Sequence, residues 1–289
     1  MSLRYAVLWI LLLFAVPVTA QGLTTSKIDD ALGRPGQKAG EIYRVAFPRS
    51  DLHVTADGVD IRPGLALGSW AAFSGSDENA SVMGDLVLLE NEVNPVITKL
   101  RAAGFEITAV HNHLINETPH VVYVHYMGHG KSADIAAALR SALTQSKTPL
   151  EKPPALNQTE APSFVKTIED TLSAKGRWAA GVLSFGIPRA EPIMDAGMAL
   201  TPAQGVAECI NFEETSPGNV ATTGDFVLIA DEVNPVISAL ASHDIQVTAL
   251  HSHLLTEQPR LFFMHFWAVG DTASVAQGIK AALDKVHTK

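Results

Sequence analysis

The first half of this chain returns as its second half. His111-Asn112-His113-Leu114, followed by Glu117, Pro119 and His125, reappears as His251-Ser252-His253-Leu254, followed by Glu257, Pro259 and His265. From 111 to 251, from 117 to 257 and from 125 to 265 the separation is the same, 140 residues. Ile28-Asp29-Asp30-Ala31-Leu32 answers to Ile168-Glu169-Asp170-Thr171-Leu172, and Phe47-Pro48-Arg49 to Ile187-Pro188-Arg189. Gly84-Asp85-Leu86-Val87-Leu88 matches Gly224-Asp225-Phe226-Val227-Leu228, and Glu92-Val93-Asn94-Pro95-Val96 matches Glu232-Val233-Asn234-Pro235-Val236. A drift of one residue, Pro63 against Pro202, marks an insertion or deletion absorbed by a loop. A duplication this long restricts the fold to one supersecondary unit built twice. The units are read as residues 21–146 and 163–289, joined by a linker over 147–162 that is rich in Pro, Lys, Glu, Gln and Thr.

Within a unit, a short helix near Ser26–Leu32 precedes strands near Ile42–Phe47, Leu65–Phe73 and Asp85–Glu90. Asn94-Pro95 reads as a helix start, with Gly104 as its stop. Strands Glu106–Leu114 and Val121–Met127 follow, and Ile135, Leu139 and Leu143 mark one stripe of a closing amphipathic helix over Ala133–Leu143. That order predicts an α+β fold: two tandem homologous units, each an antiparallel sheet with helices on one face, ferredoxin-like in flavour. Whether the two sheets pack together as a pseudo-dimer is left open by the pattern.

Residues 1–20 read as a secretory signal peptide. Arg4 precedes an apolar run, and Val18-Thr19-Ala20 is a small-residue cleavage pattern before Gln21. The expectation is export to a periplasm or the extracellular side, with no membrane span after the leader is removed. A net charge of −9 argues against a nucleic-acid partner. Cys209, the one cysteine, has no intrachain partner and sits in an apolar run, where it reads as a small buried hydrophobe.

The chemistry lies in the repeated histidines. Alternate residues of a strand share a face, so His111 and His113 point together, and His125 joins them if the hairpin sets it opposite His111. The same reasoning gathers His251, His253 and His265 in the second unit. Three imidazoles with an open position are the ligand set of a transition metal, zinc first among them. Glu117 and Glu257 are candidate proton acceptors for metal-bound water. Packed, hydrogen-bonded histidines are the competing reading, because duplication copies structural residues as faithfully as functional ones. Asp85 and Asp225, each after a Gly, read as turn residues. Asp51 reads as a surface partner of Arg49, and His129 as a loop residue.

Phe47-Pro48-Arg49-Ser50-Asp51-Leu52, Gly84-Asp85-Leu86-Val87-Leu88, Glu92-Val93-Asn94-Pro95-Val96 and His111-Asn112-His113-Leu114 together resemble the LppY/LpqO domain family of bacterial secreted proteins. The second unit is similar through Gly224-Asp225-Phe226, His251-Ser252-His253 and Pro259-Arg260-Leu261-Phe262-Phe263-Met264-His265-Phe266-Trp267. The resemblance implies export and duplication, and no particular reaction. Some members are lipoproteins, whereas this chain has no leader cysteine. Three functions remain in view: a metal-binding protein whose catalytic form is a metal-dependent hydrolase of a small molecule, a non-catalytic metal or small-ligand binding module, and a structural protein of the cell envelope.

Overall fold

A computed structural model describes residues 22–152 and 160–289. The leader and part of the linker lie outside the described residues. Each unit is α+β and builds a six-stranded antiparallel sheet. In the first, the spatial order is Gln37–Ala39, Ile42–Pro48, Gly68–Gly75, Ala80–Leu89, Val121–Gly130, Glu106–His111. The second repeats it as Arg177–Ala179, Val182–Pro188, Ala207–Ser216, Asn219–Leu228, Phe262–Asp271, Gln246–His251. Strand Ala80–Leu89, helix Glu90–Ala102 and strand Glu106–His111 form a β-α-β unit split by Val121–Gly130, which gives the sheet its ferredoxin-like character.

Helices cover one face of each sheet. In the first unit Ile28, Leu32, Val96, Leu100 and Leu139 pack on Val45, Phe73, Leu86 and Val124, and the second unit has the equivalent core. The other two faces pack on each other. Val87 and Tyr123 share a core with Ala221 and Trp267, while Ala72, Met83 and Met127 share one with Val227 and Phe263. The molecule is therefore four layers, helix–sheet–sheet–helix. This explains why Val121–Gly130 is buried on both faces rather than alternating. Among the described residues no helix is long and apolar enough to cross a membrane.

Several local expectations shift. The second helix starts at Glu90 rather than Asn94, because the Glu92 carboxylate accepts the Leu89 N–H at 2.9 Å and caps the first turn. Pro95 then falls inside the helix and forgoes one bond. Strand Glu106–His111 ends before Leu114, where Asn112 Nδ2 turns to donate to Leu114 O at 3.1 Å and to Thr248 O of the other unit at 3.3 Å. Leu65 and Leu67 precede their strand and fill the inter-unit core. His129 lies on strand Val121–Gly130, with its Nδ1 2.9 Å from Ser81 Oγ.

Arg49 is not a surface residue. It is fully buried, paired with Asp51 at 2.9 Å and Glu92 at 2.8 Å, and it donates to Val87 O at 2.7 Å. Arg189 repeats this with Glu191 at 2.9 Å, Glu232 at 2.8 Å and the Val227 carbonyl. These networks tie the Pro-Arg turn to the start of the following helix, in a place where an unpaired charge is costly.

Candidate metal centre between the two sheets

The six histidines do not form one cluster per unit. They converge in a single buried group where the two sheets meet, and this corrects the expectation of two separate sites. His111 stacks on His251 with ring centroids 3.7 Å apart. His113 stacks on His265, and His125 on His253, each also at 3.7 Å. Under the repeat, His113 corresponds to His253 and His265 to His125, so these two pairs are images of each other. The arrangement has approximate two-fold symmetry about the His111–His251 pair.

Register produces this result. His111 lies opposite Tyr123, and Ala109 opposite His125, two residues from the anticipated pairing. A shift of two preserves the face, so His111 and His125 still point to the same side. The second unit matches it, with His251 opposite Phe263 and Ala249 opposite His265. His113 and His253, just past the strand ends, are fixed from behind by aromatic rings. His113 stacks on Tyr123 at 3.4 Å and His253 on Phe263 at 3.7 Å. Thr248 Oγ1 donates to His113 O across the interface, locking the two edges together.

The Nε2 atom of all six rings is buried without a hydrogen-bond partner. Buried polar atoms are nearly always satisfied, so six orphans in one place require explanation. Nδ1 of three rings faces a backbone carbonyl: His111 to Asn112 O at 3.1 Å, His251 to Ser252 O at 3.5 Å, and His265 to Gly224 O at 3.1 Å. A proton on Nδ1 leaves the Nε2 lone pair free, which is the tautomer a metal requires. Burial, helped by repulsion among the rings, holds His111, His113 and His253 well below the ordinary histidine range. Burial is also the main cause that lowers His125 to about 3 and His251 to about 4. Neutral imidazoles near pH 7 are donors ready for a cation. One donor atom each from His111, His251, His253 and His265 lies within 4.8 Å of the others.

Asp85 and Asp225 belong to this centre and are not turn residues. Each sits mid-strand, directly opposite His125 and His265 respectively. Asp225 Oδ1 is 2.7 Å from His265 Nδ1, and Asp85 Oδ1 is 3.8 Å from His125 Nε2. Burial and the neighbouring Asp225 charge push Asp85 well above the carboxylate range. Burial is the largest influence and would raise Asp225, but the His265 contact together with the nearby His125 and His251 imidazoles outweighs it and the carboxyl is lowered. The sequence signal was a Gly-Asp pair inside a long apolar run, flanked by strand residues on both sides. The glycine is needed because a Cβ at Gly224 would collide with the Cys209 carbonyl, and one at Gly84 with the Trp70 carbonyl. Gly224→Ala is expected to cost about 1–3 kcal/mol in denaturant unfolding. Gly186→Ala, with nothing within 4 Å of its Cβ position, should be near neutral.

Glu117 and Glu257 are buried in the hairpin loops and serve the loops. Glu117 Oε1 accepts from Val121 N at 3.1 Å and lies 3.1 Å from His120 Nδ1. Glu257 accepts from Leu261 N at 2.9 Å and pairs with Arg260 at 3.3 Å. Burial raises the Glu117 carboxyl to about 7. Cys209 is only partly covered on its strand, and burial pushes its thiol up to about 12. Glu191, Glu232 and His287 also lie together, but the two carboxylates are already taken by the Arg189 guanidinium.

Fold and site together define a duplicated α+β protein with one pseudo-symmetric histidine centre shared by its halves. The chain belongs to the family described as Domain of Unknown Function (DUF1259), matched twice, over residues 26–145 and 166–285. No curated protein matches its sequence. Among solved structures, a trimeric bacterial microcompartment shell protein, PduB, is similar at 13% identity and TM-score 0.20, over 87% of this chain and 89% of that one. EtuB from Clostridium kluyveri is similar at 11% identity and TM-score 0.19, over 86% and 88%.

Proposed function

We propose that this protein binds a transition metal in the shared histidine centre, zinc being the leading ion. The observation that carries the reading is the convergence of six buried, unpartnered Nε2 atoms from both halves. Imidazole and carboxylate without thiolate suit zinc, copper, iron or nickel. The leader pattern supports an exported, periplasmic or extracellular location, and the likeness to LppY/LpqO domains agrees with it.

The test is elemental analysis of the purified protein, with chelation and reloading followed by thermal unfolding. Bound metal is expected, and stripping it should lower the unfolding temperature. An ion held at about 100 times its dissociation constant contributes roughly 2.7 kcal/mol. Absence of any metal, with none taken up on titration, would leave the histidines as architecture.

A hydrolytic version has one supporting observation. A cavity of about 10 Å³ opens beside His125 and His253, walled by Trp70, Met83, Gln204 and Phe263. That is room for one water molecule. A metal-activated water there would attack a small substrate. Glu117 and Glu257 form no part of the cavity wall, so in this version a proton acceptor at either needs its hairpin loop to move.

A further inference from the structure

We infer that the centre is dinuclear, holding two ions in two half-sites related by the repeat, each assembled from both halves of the chain. This rests on the metal-binding reading above and gives it a stoichiometry.

One four-coordinate ion among His111, His251, His253 and His265 would satisfy those four rings. It would leave Nε2 of His113, Nε2 of His125 and Oδ1 of Asp85 buried and unpartnered. Orphans of that kind each cost on the order of 1–3 kcal/mol, and a fold rarely retains several in one place. The centre offers six imidazoles and two carboxylates in all. The imidazoles divide evenly into two sets of three, each a three-ligand site with a fourth position open, and one aspartate stands beside the strand histidine of each set.

The geometry matches this division closely on one side, and the repeat extends it to the other. Donor atoms of His113, His265 and Asp225 lie within 4.8 Å of one another. The repeat image of that trio is His253, His125 and Asp85. There His253 stacks on His125 at 3.7 Å, and Asp85 is 3.8 Å from His125 Nε2. The two trios flank the His111–His251 pair, whose rings lie 3.7 Å apart on the approximate axis. Each axial ring completes one trio. Every half-site thus takes a strand histidine and its opposing aspartate from one unit, and the histidine past the strand end from the other.

The two halves are not identical. Asp225 holds His265 at 2.7 Å, whereas the Asp85–His125 contact is 3.8 Å. The water-sized cavity borders His125 and His253. The half-site of His113, His265 and Asp225 is therefore the better formed and fills first, and the one beside the cavity fills second.

The test uses the full protein, stripped with a chelator, reloaded with Zn²⁺ and washed before elemental analysis. Two zinc ions per chain are expected. Asp85→Asn combined with His125→Ala should lower the count to one, and so should Asp225→Asn combined with His113→Ala. Copper reports without any substitution: Cu²⁺ added to two equivalents should give a spin-coupled paramagnetic resonance spectrum with a half-field line. One ion in the parent protein, or two magnetically isolated copper ions, overturns the dinuclear centre while leaving metal binding intact. Two zinc ions unaffected by either double variant place them elsewhere and overturn both. No ion at all also overturns both.

Discussion

Replacing His111 with alanine should weaken metal binding as much as replacing His251, although the two residues belong to different repeats. Their rings stack at 3.7 Å on the approximate two-fold axis, and each also lies 4.8–5.2 Å from His265. Neither can be removed without disturbing donors from both units. The loss of metal affinity should exceed the roughly 10–100-fold that follows from losing a hydrogen-bond partner behind a ligand. Equilibrium titration with zinc in competition with a chromophoric chelator measures it. A variant that bound all of its metal at parental affinity would sink the centre.

The largest effect on stability is expected at Arg189. It is buried between Glu232 and Glu191, with Glu208 Oε1 3.9 Å away, and Glu208 is itself fully buried. Arg189→Ala would leave these carboxylates without their cation, a change that costs about 3–5 kcal/mol in comparable buried pairs. Arg189→Lys should recover only part, since one ammonium cannot bridge several carboxylates as a guanidinium fork does. Arg49→Ala should cost less, because Ser69 stands in the first unit where Glu208 stands in the second. Ser69 Oγ accepts from Val87 N at 2.7 Å just as Glu208 accepts from Val227 N at 2.7 Å. Urea unfolding of the three variants gives the ranking, and an Arg189→Ala loss below about 1 kcal/mol would contradict the network's role.

Much of the architecture was legible in the sequence. The offset of 140 residues gave the number of units, and period-two alternation put His111, His113 and His125 on one face even though the hairpin register was displaced. What the repeat could not state is which surfaces meet, because a copied pattern is the same whether the copies stand apart or face each other. One clue was present. Val121-Val122-Tyr123-Val124-His125-Tyr126-Met127 is apolar on both faces, and a strand of that kind needs a second layer over its histidine side. Asp85 and Asp225 were hidden by the habit of Gly-Asp pairs to make turns, which the cross-strand glycine contact replaces here. Arg49 and Asp51 were hidden by distance, since Glu92 and Lys147, which complete their surroundings, lie far along the chain.

The approximate axis through His111 and His251 has the form of a homodimer interface, yet both partners are carried on one polypeptide. In a dimer, a centre built from two subunits would dissolve on dilution as the subunits part. Here the second half is supplied at an effective concentration set by the covalent connection rather than by the amount of protein in solution. Assembly of the centre is thus independent of how dilute the protein becomes. Fusion also frees the two sides to drift apart in sequence, and Ser69 against Glu208 shows that they have done so.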